Sequence, residues 1–431
     1  TIYNYLLNKY NLKNIYNSPL KEINTNEILN STDRINLTDL DTFTIDPTSS
    51  KDFDDAISIV LNKDSFTLYI HIADVSHYIK PNTQLDNIAK DAMNTIYFNG
   101  KIIHMLPKFL SNDLCSLLPN KERRTVTVMI NYDLNGKELD YKIFRSLIKN
   151  KKRYTYEKVR NQINTSSMDK NIKKLYDFIK KLYPDIDKNY CLPIPHINLD
   201  DNLKPSNITL EEYDLSHRMI EKCMVIANNI VARELTKRKV WFPYRVHQND
   251  NNEKKNKYNK YLNYSTNKIY RQIIKVKSYT TAFYSPEKKS HNGLNLDMYC
   301  HFTSPIRRYI DIVIHRILLN DYDYSLEELN QICNHANKKE SYSFKAENEL
   351  IDIHKNQYLD KEENKDKIYN LLIIDVYKNG IKVQILDIMM EQIIHISKLS
   401  KNRLSFNNKQ LFNKQNNELF KIGDIIKLPT N

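Results

Sequence analysis

Apolar and polar positions divide the chain into strand-like and helix-like stretches. Residues 34–80 read as β structure: AISIV (56–60) and FTLYIHI (66–72) flank LNKDS and predict a hairpin, with Leu68, Ile70 and Ile72 alternating against Tyr69 and His71. Residues 84–93 have a helical pattern, and NDLCSLLP (112–119) and RTVTVMINYDLNGKELDYKIFRS (124–146) return to strands, the latter turning at Asn135-Gly136. From Leu215 to Lys237, Met219, Cys223, Ile226, Ala227, Ile230 and Val231 recur at the spacing of a long amphipathic helix. Ser304 as N-cap and Pro305 at the first helical position predict a helix start there, with an apolar face of Ile306, Tyr309, Ile310, Val313 and Ile317. After a charged helical stretch (338–364), LLIIDVYKNGIKVQILDI (371–388) predicts a hairpin around Asn379-Gly380. EQIIHISKL and KIGDIIKL come next, and short strands in this series suggest a small β-barrel of OB type, cut short at its end.

Composition narrows the class. A chain of 431 residues with 41% hydrophobic and 27% charged content is globular and long enough for one large domain and a smaller one. Five Gly beside 30 Tyr and abundant Lys, Asn and Ile match the codon usage of an AT-rich genome, so no single Lys or Asn carries weight. The net charge of +13 favours a polyanionic partner, nucleic acid or a membrane surface, over an acidic protein. Cys115, Cys191, Cys223, Cys300 and Cys333 are odd in number and include no C-x-x-C pair. That argues against a disulfide framework and against zinc, and fits a reducing, intracellular location without resolving cytoplasm, nucleus or organelle. The richest apolar run, IDIVIHRILL (310–319), is broken by His315 and Arg316 and predicts no membrane span. A chain that opens on Thr1 reads as a fragment or processed product, in which a targeting segment would be invisible.

The chemistry concentrates at FTIDPTSSKDFDDAISIV (43–60). Asp46, Asp52, Asp54 and Asp55 stand within ten residues, and like charges at that density call for a cation between them, with a hard divalent ion bound through oxygen as the economical answer. In an extended segment Asp52 and Asp54 share a face, and Asp55 joins them only if the backbone kinks. From the residues alone, a catalytic metal site, a structural metal site and a solvated acidic loop all stay open. The spacing does not fit an EF-hand, and no Glu closes it. Arg307 is the natural complement, a planar cation able to bind a non-bridging phosphate oxygen, although, taken alone, a helix-surface pairing with Asp311 one turn on explains it more simply. IKNKKRYTYEKV (148–159) interleaves Lys149, Lys151, Lys152 and Arg153 with Tyr154 and Tyr156, as a single-stranded nucleic-acid channel or a solvated loop entering a helix would. DNNEKKNKYNKYLNYSTNK (250–268) reads as a low-complexity, exposed insertion.

TIDPTSSKDFDDA (44–56), HIADVSHYIKP (71–81), MLPKFLSNDLCSLLP (105–119) and HFTSPIRRYIDIVIHR (301–316) resemble the signature blocks of the ribonuclease II / ribonuclease R (RNB) family. SHRMIEKCMVIANNIVA (216–232) and PYRVH (243–247) match in order too, so the resemblance covers roughly residues 34–360, and 368–431 is similar to the RNA-binding OB domain that comes after it in that family. It implies an α+β fold: a lead-in or remnant of an upstream OB domain over 1–33, an RNB catalytic domain with a mixed sheet and surrounding helices over 34–362, and a truncated OB-fold domain over 366–431.

The implied activity is hydrolytic, processive 3′→5′ exoribonuclease action on single-stranded RNA, releasing nucleoside 5′-monophosphates by two-metal-ion catalysis with Mg²⁺, for which Mn²⁺ substitutes. On the resemblance Asp46, Asp52 and Asp55 hold one ion, Asp54 supports a second and its attacking water, and Arg307 stabilises the transition state. Tyr97 stacks on the terminal nucleotides and helps set product length. Tyr156 and Glu221 match a base-stacking ring and a ribose contact. Arg308 is taken as an RNA contact, and Glu347 matches a carboxylate near the 3′ end, although Asn348 stands where the family usually has Arg. The expected partner is single-stranded RNA and no membrane, with the protein a monomer that could join a larger RNA-decay complex. Family members carry one or two cold-shock-type OB domains before the catalytic block, and this chain has room for neither in full.

Overall fold

A computed structural model describes residues 1–13, 33–188, 191–248, 252–400, 404–407, 409–413 and 418–429. Most of the expected lead-in, 14–32, lies outside them. The chain forms two compact units: Thr1–Asn189 with Asp214–Gln248 and Thr281–Ala346, and Tyr190–Tyr213 with Asn249–Thr280 and Glu347–Asn431. The α+β class holds, with a mixed sheet and helices in the first unit and OB-type strands in the second.

In the first unit α1 (Ile2–Lys9) leads to β1 (Ile35–Asn36), β2 (Thr42–Asp46), β3 (Asp55–Leu61) and β4 (Ser65–Ala73). Then come α2 (Val75–Tyr78), α3 (Gln84–Ala92), the hairpin of β5 (Ile96–Phe98) and β6 (Lys101–Ile103), β7 (Glu122–Asp133) and β8 (Glu138–Thr155). The two predicted hairpins are β3–β4 and β7–β8, the second turning on Gly136 at φ 85°. The long β8 pairs antiparallel with β7 and, further on, parallel with β2. The sheet β2-β3-β4-β7 is thereby closed on itself.

Closure buries both faces of the strands, which is why the predicted alternation in β4 fails at His71. That imidazole is fully buried and is hydrogen-bonded to Ser58 Oγ at 2.9 Å and Thr127 Oγ1 at 2.8 Å. Thr42, Ser146 and Thr125 extend the chain of hydroxyls, so the polar side of these strands meets itself in place of water. On the other side Ile57, Leu68, Ile70, Ile72, Val126 and Val128 form the core; each such side chain contributes about 1.5–3 kcal/mol by leaving water.

Helices α4 (Tyr156–Asn164), α5 (Lys170–Leu182) and α6 (Leu215–Lys237) pack on this core; the short strands β11 (Tyr244–Val246) and β12 (Phe283–Ser285) pair; and α9 (Tyr309–Leu318) is buried on every side. Arg316 of α9 is itself fully buried, donating to Asp86 Oδ1 of α3 and to the Ile79 carbonyl, each at 2.7 Å. Three expectations change. Residues 112–119 are not a strand: a π-helical turn spans Leu110–Leu114, and Ser116, two residues beyond it, is tethered to the carbonyl of Lys51. The helix predicted from Ser304 begins only at Tyr309, with Arg308 extended at φ −136°, ψ 122°. Residues 307–309 are captured by the segment before β5, since Thr95 N–H donates to the Arg307 carbonyl at 3.1 Å and Tyr309 N–H to that of Met93 at 2.8 Å.

The third change falls in the second unit. The Lys/Asn-rich stretch carries α7 (Asn252–Leu262), whose Tyr258, Tyr261 and Leu262 pack against a core shared with α8 (Lys268–Ser278) and the hairpin β9 (Ile194–Leu199)–β10 (Pro205–Glu211). Helix α10 (Leu326–Leu359) runs from one set of residues into the other, and α11 (Glu362–Lys365) comes after it. The predicted hairpin around Gly380 is β13 (Tyr369–Tyr377)–β14 (Gly380–Ile385), in a four-stranded antiparallel sheet with β15 (Met390–His395) and β19 (Ile425–Leu428). After α12 (Ile396–Leu399), β16 (Ser405–Asn407), β17 (Gln410–Asn413) and β18 (Glu418–Lys421) form a second small sheet. Among the described residues no helix is long and apolar enough to cross a membrane.

Candidate active site

The acidic segment bridges β2 and β3. Asp46 is the last residue of β2, in register with Thr155 at the end of β8; Asp55 is the first residue of β3, in register with Ile72 of β4. Residues 47–54 between them form no strand or helix, and this is the kink that gathers the carboxylates. Asp54 is only 5% exposed: its Oδ1 accepts from the Ile306 N–H at 2.8 Å, and its Oδ2 lies 3.5 Å from Arg307 Nε. The Arg307 side chain remains 42% exposed and also donates from Nη2 to Ser304 Oγ at 2.9 Å. Its partner is therefore Asp54, and Asp311 is taken instead by Arg308 at 2.8 Å and by the Ser304 N–H at 2.7 Å.

Burial dominates the electrostatics. It pushes the Asp54 carboxyl well above the usual range, with Asp52 and Asp55 adding to the rise and Arg307 and the Ile306 amide opposing it. Asp46 is raised by burial and then by the charge of Asp55, and Asp55 is raised by burial to about 6 against the pull of Arg307. Three acids are thus held where ionisation is disfavoured, first by burial and, for Asp46 and Asp54, also by neighbouring carboxylates. Asp46 Oδ2 is buried with no hydrogen-bond donor, which fits an oxygen kept for a cation. Among the described residues, however, no three His, Cys, Asp or Glu side chains converge as a preformed metal cluster.

Tyr97, on β5, stands beside this group with its ring 40% exposed, its hydroxyl donating to Asp52 Oδ2 at 2.9 Å. Its hairpin is held from outside by α1: the Tyr3 hydroxyl donates to the Asn99 carbonyl at 2.9 Å and its ring meets Phe98 at 5.8 Å. The first residues of the chain thus have a definite task that the sequence did not disclose. Tyr156 opens α4 directly after Thr155, so strand register sets it near Asp46. His217 of α6 stacks on its ring at 4.0 Å, and Glu221 is one helical turn beyond His217. Glu347, on α10, falls in the second unit.

Lys151, Lys152 and Arg153 of the basic stretch before Tyr156 are engaged by the protein itself. Lys151 reaches the Asp39 carbonyl, Lys152 and Tyr154 bond Asp169, and Arg153 Nη2 donates to the carbonyls of Pro47, Thr48 and Ser50 at 2.9, 3.0 and 3.4 Å. Ser116 holds the same loop from the far side, donating to the Lys51 carbonyl at 2.8 Å and accepting from the Phe53 N–H at 3.0 Å. Neither role was readable from sequence: Arg153 carried only a compositional signal, and Ser116 none.

The RNB domain model matches residues 34–322. Ribonuclease R of Chlamydia trachomatis is 35% identical over 402 residues, covering 85% of this chain and 58% of its own length. The apo structure of Mycoplasma genitalium RNase R superposes with a TM-score of 0.84 at 26% identity, covering 99% of this chain and 74% of that one. The same protein in complex with ribose-methylated single-stranded RNA gives 0.83, with the same identity and coverage. The chain spans about three fifths of the length of the curated relatives it matches. With its fold, its ordered sequence blocks and its clustered acids in agreement, the chain belongs to the RNB domain family.

Proposed function

We propose that the protein is a hydrolytic 3′→5′ exoribonuclease that degrades single-stranded RNA processively to nucleoside 5′-monophosphates, with Mg²⁺ as cofactor and Mn²⁺ as a substitute. The observation that carries the reading is the placing of the buried Asp54 between the Ile306 amide and Arg307, on the loop that also carries or adjoins Asp46, Asp52 and Asp55. RNB membership and the RNA bound to the Mycoplasma genitalium neighbour support it.

Asp46, Asp52 and Asp55 would hold one ion and Asp54 would support a second; bound there, the ions would lower the pKa of a water so that it loses a proton and attacks phosphorus as hydroxide, and would offset charge on the leaving oxygen. Arg307, half exposed and fixed by Asp54 and Ser304, donates to a non-bridging oxygen as charge gathers on it. The exposed ring of Tyr97 stacks on the terminal nucleotides, while Tyr156 and Glu221 receive a base and a ribose hydroxyl further back. Glu347 matches, by the resemblance alone, a carboxylate near the 3′ end, and Arg308 acts by bracing the turn that carries Arg307 through its pair with Asp311. The protein works as a monomer on RNA and can join a larger RNA-decay complex.

A second reading, a catalytically silent RNB-fold protein that only binds RNA, is favoured by two observations: both Asp54 oxygens already face protein donors, and among the described residues no three-ligand cluster is preformed. A 5′-labelled single-stranded RNA incubated with Mg²⁺, beside an Asp54→Asn variant and a chelated control, separates the two. Shortening from the 3′ end by the parent alone supports the exonuclease. RNA that is bound but stays intact sinks it and leaves the silent binder.

A further inference from the structure

We propose that Arg153 is the positioning residue of the acidic loop: through three main-chain carbonyls it holds residues 47–53 closed, so that Asp46 and Asp52 stay within reach of one cation. The inference rests on the metal-centre reading of the proposed function and adds to it the device that keeps the centre assembled.

The need is electrostatic. Asp46 ends β2 and Asp55 begins β3, so both are fixed by strand register, whereas Asp52 lies on a connection without regular structure. Within that connection the one backbone hydrogen bond among its own residues is Ser50 N–H to the Pro47 carbonyl at 3.2 Å. Four carboxylates repel one another, and a loop so weakly bonded to itself would relieve the repulsion by opening. Arg153 opposes this in three ways. Its register with Thr44 places it on the strand beside β2, two residues before the partner of Asp46. Its Nη2 reaches the carbonyls of Pro47, Thr48 and Ser50, and its guanidinium lies 4.8 Å from the Phe53 ring centroid. Its charge acts directly on Asp46.

On the opposite side Ser116 bonds Lys51 and Phe53, and is itself fixed by Arg123 Nε on its carbonyl at 2.9 Å; the Leu117 N–H adds a bond to the Phe53 carbonyl at 3.0 Å. The loop is gripped from both flanks, once by a cation and once by neutral groups. The planar guanidinium covers Phe53 while its Nη2 alone reaches the three carbonyls; a lysine keeps the charge and loses the flat face on the ring.

The experiment compares Arg153→Met, Arg153→Lys and Ser116→Ala with the parent, using Lys173→Met on the exposed face of α5 as control. Two quantities are read: amide hydrogen exchange of Ser50 and Phe53, and the Mn²⁺ dissociation constant by electron paramagnetic resonance. The expected result is faster exchange confined to 47–53 in the Met variant, Mn²⁺ binding weakened by about 10–100-fold, and partial recovery of both with Lys. Ser116→Ala should speed exchange at Phe53 even if the Met variant fails to fold. Exchange at Ser50 unchanged in Arg153→Met overturns the proposal, as does parental exchange and Mn²⁺ affinity in Arg153→Lys should the Met variant not fold, and so does faster exchange with parental Mn²⁺ affinity. In each event the exonuclease reading stands if the parent binds Mn²⁺ and shortens RNA. A parent that binds no Mn²⁺ overturns the metal centre and the clamp's purpose together.

Discussion

The backbone N–H of Ile306 donates to Oδ1 of Asp54 at 2.8 Å, joining positions 252 residues apart in sequence. The turn that contributes this amide also carries Arg307, and the turn itself is held by Thr95 and Met93, which lead into the hairpin of Tyr97. One short ladder therefore sets the acid, the cation and the aromatic ring relative to one another, and a substitution at one of them is felt by the others through known bonds.

Arg307→Met should reduce the single-turnover rate of RNA cleavage by about 10²–10³-fold, the effect of removing one donor aimed at developing charge. Lys at this position should recover part of the rate, because it restores charge without the fork. The KM for RNA should move much less than kcat, since most of the strand is bound elsewhere. Equal losses in binding and rate would make Arg307 an ordinary phosphate contact.

Tyr97→Ala should lengthen the shortest product, as stacking on one base contributes about 1–3 kcal/mol. Tyr97→Phe keeps the ring and loses only the hydroxyl on Asp52, so product length should hold. Tyr3→Ala, remote in sequence, should behave like Tyr97→Ala in product length because Tyr3 braces the Tyr97 hairpin through Asn99 and Phe98. A product ladder on gels decides this: a Tyr3→Ala pattern identical to the parent's would detach α1 from the site.

How much the sequence disclosed depends on the range of the forces involved. The hairpins at 55–73, 122–155 and 369–385 were legible because alternation and the Asn-Gly turns at 135 and 379 are local signals. The acidic cluster was legible for the same reason. The start of α9 was misplaced because Ser304-Pro305 has the local chemistry of a helix N-terminus, while pairing of 307–309 with 93–95 overrides it. His71 looked solvent-facing because a closed sheet cannot be told from an open one within a single strand. The clamp of Arg153 and the amide of Ile306 act on or through main-chain groups, which leave no residue pattern at either end.

His71 gives the fold an acid sensitivity of known sign. Burial lowers its pKa to about 3, against 6.5 in an unfolded chain. Between those values the unfolded state binds the extra proton, so His71 contributes stability near neutrality that is lost as pH falls below about 6.5. The loss between pH 7 and pH 5 is about 2 kcal/mol. Urea unfolding of the parent and of His71→Gln at both values isolates this share, since the raised carboxyls of Asp46, Asp54 and Asp55 act in the opposite sense in both proteins alike. A difference between the two proteins that is independent of pH would show that His71 titrates alike in the folded and unfolded states, so that burial does not lower its pKa.

Metal binding should carry a proton signature of its own. Burial raises Asp55 to about 6, so below that pH the folded, metal-free protein holds a proton there that the unfolded chain has released down to about 4. That proton stabilises the metal-free fold in acid, an advantage lost as pH rises through 6. A cation must displace it, so Mn²⁺ affinity should rise about tenfold per pH unit below 6 for one proton released and level off above. Asp46 and Asp54, raised in the same direction, steepen the slope if they are ligands too. Titration calorimetry at pH 5 and 7.5, in buffers of differing ionisation enthalpy, counts the protons directly. An affinity equal at both values, with no proton released, would mean that Mn²⁺ binds away from these acids. The rise in melting temperature on adding Mn²⁺ should likewise be larger at pH 7.5 than at pH 5, because the ion meets carboxylates that are already ionised.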